Sequence, residues 1–184
     1  HRQAAPRGSR PGVLTSSLIR PGRRLLSPRP FSSITENQGT VIRMIIIIDT
    51  REKDEYEFDG TVAIKQKLDA GDYSVAGLEN RISIERKNID DFVGTVIYQK
   101  ERFHEELIAL TSLDFAAIVV EASLTDILDH RYKSDVNPIS VIGAVVAIMV
   151  EYRIPIIFSG SRQLACHLTH EILKRFASKH LREQ

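Results

Sequence analysis

Asp72, Glu85 and Lys87 are the residues of this chain whose types and spacing could do chemistry. Asp72 stands in Gly71-Asp72-Tyr73, and Glu85 follows inside Ile84-Glu85-Arg86-Lys87-Asn88-Ile89, with Asp90 and Asp91 directly after. An isolated aspartate, then a glutamate and a lysine two apart on a strand, is what metal-dependent phosphodiester cleavage requires. The acids hold a divalent cation, and the lysine sits beside the attacking water or the developing phosphate charge. Residues i and i+2 of a strand share a face. A strand over 81–87 therefore puts Ser83, Glu85 and Lys87 on one face and Ile82, Ile84 and Arg86 on the other. The isoleucines anchor the strand in a core. Arg86 points away from the acids, so its role is a structural ion pair or a phosphate contact from the neighbouring side. Glu-x-Lys is also a common structural ion pair, and Gly-Asp-Tyr an ordinary turn, so the motif needs support from the rest of the chain.

The elements that must position these residues are legible in the pattern. Met44-Ile45-Ile46-Ile47-Ile48-Asp49 is a continuous apolar run, which reads as a strand buried on both faces. It ends in Asp49-Thr50-Arg51-Glu52, a polar group at a strand's C-terminal edge, where α/β sites collect. Residues 53–60 read as a charged loop or short hairpin, 61–68 alternate as a strand, and 71–75 supply another before the strand at 81–87. From Ile89 the period changes, and the apolar spacing predicts one helix of about 24 residues with Asn88 or Asp90 as N-cap. A buried strand follows at 115–121, then a short helix at 123–129 and a polar loop. Pro138 opens an apolar helix to about Tyr152. A last strand over 154–158 leads through Ser159-Gly160-Ser161 into a final helix ending near His180. This alternation predicts α/β layers with helices packed on a mixed sheet.

Composition bounds the rest. The 184 residues suffice for one domain and a tail. Cys166 is the lone cysteine, which excludes an internal disulfide and a cysteine-based zinc cluster and fits a reducing, intracellular context. No run of apolar residues is long enough to span a membrane. Residues 1–43 hold eight arginines, no lysine and one acid, Glu36, whereas residues 44–184 hold 17 basic and 23 acidic residues, a net of −6. Nucleic-acid binding by that acidic part would need a local basic patch and metal ions rather than bulk charge. The Pro-, Arg- and Ser-rich residues 1–43 are expected to be disordered, with the domain starting at Met44. The tail reads as a product of upstream translation, an organellar transit peptide, or a basic arm that tracks phosphates. The expected location is cytoplasmic or at the nucleoid of a prokaryote, or organellar if the tail is a transit peptide.

Gly71-Asp72, Glu85-Arg86-Lys87 and Asp91 together reproduce the pattern GD…ERKxxxD. Asp49-Thr50-Arg51-Glu52, Tyr98-Gln99-Lys100-Glu101-Arg102-Phe103 and Val119-Val120-Glu121 add three further segments in order. Over residues 44–180 the chain resembles the nuclease domain of the XPF-type structure-specific endonucleases, in the PD-(D/E)xK superfamily. The resemblance implies a restriction-endonuclease-like α/β fold, a mixed central sheet flanked by helices. It implies Asp72 and Glu85 as principal metal ligands, Asp49 as a further acid at the site, and Mg²⁺ or Mn²⁺ as the cation. Lys87 would orient the attacking water and stabilise the pentavalent phosphate. Arg86 and Asp91 match functionally required positions, and the expectation here is that they pair and lock the strand–helix junction. Arg51 and Glu52 match the first motif without an assigned role.

The expected activity is that of a Mg²⁺-dependent endodeoxyribonuclease acting on branched, flap or junction DNA in repair or recombination. The alternative is a non-catalytic DNA-binding or scaffold subunit, which would usually have lost an acid or the lysine; Asp49, Asp72, Glu85, Lys87 and Asp91 are all present. A nuclease of this fold with another substrate is a further alternative, since fold does not fix substrate. Larger members carry tandem helix-hairpin-helix or helicase domains that this sequence does not show, so a stand-alone nuclease domain is expected. The expected partners are DNA and a second nuclease domain, as homodimer or heterodimer, with no membrane; the helix over 139–150 is either core or dimer face. His167 and His170 on the last helix, and the basic loop around His130, Arg131, Tyr132 and Lys133, read as ordinary surface or as metal and phosphate contacts respectively. No GxxxxGK loop or Gly-x-Ser-x-Gly elbow occurs.

Overall fold

The run of isoleucines forms the first strand, β1 (Ile45–Ile48), whose Ile46 and Ile47 are fully buried. This is a computed structural model, and it describes residues 44–180. The readings made for residues 1–43 lie outside the described residues. Six strands make one sheet: β1, β2 (Val62–Lys65), β3 (Tyr73–Val75), β4 (Ile82–Lys87), β5 (Phe115–Val120) and β6 (Ile156–Phe158). Their spatial order is β2-β1-β3-β4-β5-β6. β1 runs parallel to β2 and antiparallel to β3, and β3 is antiparallel to β4. β4, β5 and β6 are mutually parallel, so the sheet is mixed. The parallel half requires crossover connections, which α1 (Ile89–Tyr98), α2 (Lys100–Thr111), α3 (Leu124–Leu128) and α4 (Pro138–Glu151) supply; α5 (Arg162–His180) follows β6.

Each face of the sheet carries its own core. Ala116, Ile118 and Val120 of β5 pack with Phe92, Leu107, Val141 and other residues of α1, α2 and α4. Ile82 and Ile84 of β4, with Ala117 and Val119, pack on the opposite side against Leu173 and Ala177 of α5 and against Tyr56 and Phe58. Residues 53–60 are thus more than a charged loop, because Tyr56 and Phe58 enter the core while their neighbours stay polar. Pairing β4 with β5 in parallel sets Glu85 beside Ile118 and Lys87 beside Val120. The catalytic candidates therefore face the α1–α2 side, and Arg86 faces α5.

The long helix expected after Ile89 is two helices. It breaks at Gln99, whose φ of −111° and ψ of 35° are not helical. The break carries no Gly or Pro, and buried Val96 and Phe103 lie seven apart, so the apolar phase runs through it and leaves no sign in the pattern. The sheet closes at β2, an edge strand whose four residues are all exposed. Asn88 is the N-cap of α1, accepting from the Asp91 amide at 2.9 Å.

Candidate active site

Gly71 explains why an aspartate can stand at the start of β3. Its φ is +73°, and a Cβ there would lie 2.1 Å from Ser83 Oγ, which donates to the Ala70 carbonyl at 2.8 Å. A glycine alone allows this backbone to come against β4. Asp72 is then fixed by its own backbone. Its amide donates to the Ile84 carbonyl at 2.9 Å, and its carbonyl accepts from the Asp49 amide at 2.8 Å. Its carboxylate accepts from the Arg86 amide at 2.8 Å. The expected result of Gly71→Ala is a loss of about 2–3 kcal/mol in urea unfolding, from the forced φ and the Ser83 clash together. Wild-type stability would contradict this.

Glu85 and Lys87 extend from β4 on the same face, as strand parity requires. Lys87 Nζ donates to Glu85 Oε1 at 2.5 Å and lies 3.6 Å from Glu106 Oε1 on α2. Burial pushes the Asp72 carboxyl up to about 6, despite the Arg86 amide and the Lys87 charge. Burial and the charge of Asp72 hold Glu85 well above the ordinary carboxylate range. Burial works against the Lys87 charge, but Glu85 and Glu106 outweigh it and raise the amine above its usual value. These groups line a cleft of about 520 Å³, together with Arg51, Glu52, Lys53, Asp91 and Arg102.

The other sequence-derived candidates fall elsewhere. Asp49, expected as a third acid at the metal, does not line the cleft. One oxygen accepts from the Arg51 amide and Nε, both at 2.7 Å, and the other from the Leu68 amide at 2.6 Å and Arg51 Nη2 at 3.2 Å. Burial opposes its charge, but these donors hold its pKa below the usual carboxylate value. With both oxygens engaged, Asp49 orders the turn that follows β1. The expected pairing of Arg86 with Asp91 is absent. Arg86 instead grips Glu121, just after β5, with two bonds, at 2.8 and 3.0 Å, and reaches Asp54 at 2.7 Å and Glu52 at 3.5 Å. Asp91 is exposed and accepts from Asn88 Nδ2 at 2.6 Å. The reason is parity, because Arg86 points through the sheet toward α5, whereas Asp91 sits on the α1 side. The His130–Lys133 loop spends its cations on its own neighbours, Arg131 on Asp126 and Asp129, and Lys133 on Asp90. His170 hydrogen-bonds Thr61 at 2.9 Å.

Sequence reasoning missed Glu106, whose facing depends on how α2 is set after the break at Gln99. It also missed Tyr56 and Arg162, which meet Arg86 across the sheet. The aromatic at 56 within an acidic run was the one available signal.

The fit of a cation rests on the chemistry of the donors. Buried Glu85 and half-buried Asp72 oppose each other's ionisation, and a hard cation relieves that opposition through oxygen ligands. Among the described residues no group of three His, Cys, Asp or Glu side chains encloses one point. Asp72 and Glu85 match the way Mg²⁺ is commonly held, by one or two carboxylates with water and substrate oxygens completing the shell.

The mixed six-stranded sheet flanked by helices is the fold seen in the solved structures of XPF. The ERCC4 domain family model matches residues 48–172, and the chain belongs to that family. It is similar to the solved structure of XPF from Aeropyrum pernix, at 23% identity and a TM-score of 0.58, over 76% of this chain and 67% of that one. The structure of XPF from the same organism in complex with DNA matches with a TM-score of 0.58 over 74% of this chain and 66% of that one. Among curated proteins it is 29% identical over 133 residues to the candidate ATP-dependent RNA helicase MJ1505 of Methanocaldococcus jannaschii. That match takes in 71% of this chain and 15% of the relative, so the chain spans a small part of that protein's length.

Proposed function

We propose that this domain is a metal-dependent endonuclease that hydrolyses phosphodiester bonds in branched or partly single-stranded DNA. The observation that carries the reading is the convergence of half-buried Asp72, buried Glu85 and Lys87 in one cleft. Asp72 and Glu85 would hold Mg²⁺ or Mn²⁺, which when bound supplies Lewis-acid activation of water and stabilisation of the leaving oxygen. Lys87 keeps a proton on its amine, held beside Glu85 and Glu106, and offsets the charge that develops on the phosphate. Arg51, Lys53 and Arg102 bring cations to the rim, where phosphate contacts fix the register of a nucleic acid. Arg86 and Glu121 hold the ends of β4 and β5 together beneath the site. Asp91 contributes to the start of α1 through Asn88. The family's DNA-bound relative supports DNA as substrate.

The test is cleavage of labelled flap, fork, junction, duplex and single-stranded DNA with Mg²⁺, Mn²⁺ or EDTA. Cutting that requires the metal is the expected result. DNA binding without cutting of any substrate would move the assignment to a scaffold subunit.

We propose self-association through α4. Its inner face packs Val141, Val145 and Ile148 into the core, while Ile139, Val146, Met149 and Val150 lie outside, Ile139 and Val150 each 70% exposed. A charge-free apolar stripe of this kind on a helix marks a contact surface. Wild type should sediment as a dimer, and Val146→Glu with Val150→Glu should weaken that dimer at least about tenfold, one charge in an apolar contact costing more than 1.4 kcal/mol. A wild type that stays monomeric at high concentration would refute the proposal. Among the described residues no helix is long and apolar enough to cross a membrane.

A further inference from the structure

We infer that Arg162, in the first turn of α5, is a positioning residue for the cleft: it fastens the segment 53–56, whose Lys53 and Asp54 line the site. Nη1 of Arg162 donates to Asp54 Oδ2 at 2.9 Å and to Glu121 Oε1 at 3.1 Å. Nη2 donates to the carbonyls of Asp54 at 2.9 Å and Glu55 at 2.8 Å. The guanidinium carbon lies 5.0 Å from the Tyr56 ring centroid, and that of Arg86 lies 5.6 Å from the same ring. Tyr56 itself is buried and stacks on Tyr73 with centroids 5.0 Å apart. Two arginines from different elements thus share two carboxylates and one aromatic ring.

Asp49 and the Leu68 carbonyl hold Arg51, the Asp49 carbonyl holds the Glu52 amide, and Arg86 grips the Asp54 side chain, but the carbonyls of Asp54 and Glu55 depend on Arg162. Arg51, Lys53, Asp54 and Glu55 are exposed, and among the described residues no other donor reaches the carbonyls of Asp54 and Glu55. Helix α5 does not need it, because Ala165, Leu173 and Ala177 seat α5 in the core. Loss of Arg162 should therefore free the segment and leave the helix in place. The planar fork of arginine presents donors in fixed, spread directions that reach four spaced acceptors, whereas lysine offers its three donors from one point. The consequence for cleavage rests on the nuclease reading above. With Lys53 less well placed, substrate binding weakens more than the chemical step.

Hydrogen exchange of the full chain tests the inference with Arg162→Gln and Arg162→Lys. The amides of 53–56 should exchange about tenfold faster in both variants, while β1 and β4 exchange as in wild type. In parallel, KM for DNA should rise roughly tenfold with kcat within about twofold. Unchanged exchange in 53–56, or an equal rise across the whole domain, overturns the inference. So does faster exchange with KM unchanged in an active enzyme. A wild type that cuts no DNA removes the nuclease reading instead, and the exchange result still upholds or overturns the hold of Arg162 on the segment.

Discussion

Asp72→Asn should lower metal-dependent cleavage by about three orders of magnitude, the scale on which loss of one preorganised polar group slows an enzyme, and should make the metal-free protein more stable. The two effects have one cause. Asp72 is half-buried beside Glu85, with the charges of Glu52 and Glu106 near it. Asparagine keeps an oxygen for the Arg86 amide, which now donates to the Asp72 carboxylate at 2.8 Å, and removes the charge that a cation would take. The gain in stability should be about 1–2 kcal/mol in EDTA at pH 8. Its pH dependence follows from the direction of the shift. The folded carboxyl titrates at about 6, above its ordinary value of 3.8. Between those values the folded state binds more protons than the unfolded state, so metal-free wild type loses stability as pH rises through the window. The advantage of the asparagine variant should fade as pH falls below about 6 and be gone near 4, the folded and ordinary values of the carboxyl. Urea unfolding at several pH values, beside a cleavage assay, checks both halves. Lys87→Ala should share the loss of cleavage. A variant of either residue that cuts at wild-type rate would remove the assignment of the cleft as the active site.

Arg86→Ala should fail for a different reason. The Arg86 and Glu121 side chains are 8% and 9% exposed, joined by two hydrogen bonds. Removing one member of a buried pair strands the other without its counter-charge, which costs about 3–5 kcal/mol. Arg162 also touches Glu121 and softens the loss only in part, because its side chain is 40% exposed. Domains of this size are stable by about 5–15 kcal/mol, so the variant should unfold at markedly lower urea. Glu121→Gln should cost less, since the amide keeps one acceptor. A double-mutant cycle over Arg86 and Glu121 should show clear coupling. On the proposed reading the ERK triplet divides, Glu85 and Lys87 for the chemistry and Arg86 for the scaffold. An Arg86→Ala protein as stable as wild type but unable to bind DNA would instead make Arg86 a phosphate contact.

Much of this was readable from residue order because it depends on local rules. The isoleucine run, the two-residue period at 81–87 and the proline at 138 each act within one element. Strand parity alone separated Glu85 and Lys87 from Arg86, and β4 obeys it. The motif spacing and the ERCC4 domain match identify the same family. The GD turn could be read as a motif, but why it must be glycine could not. The Ser83 side chain that a Cβ would strike comes from the next strand.

The partners of the charged residues needed the fold. Asp49 and Asp72 look equivalent as acids following or preceding strands. Arg51 and the Leu68 amide enclose one of them, while the other opens to the cleft. Asp91 and Glu121 were both open to Arg86 as far as order could tell, and the sheet chose Glu121 because β5 lies beside β4 in parallel register, Arg86 against Val119. Glu106 and Arg162 reach the same neighbourhood from α2 and α5, on opposite faces. A sequence determines which residues share a face of an element, since that follows from backbone geometry one residue at a time. Which charge meets which depends on side chains far apart in the chain being brought within a few ångströms, and on the burial that makes their pairing matter. Only the packed sheet and helices settle both.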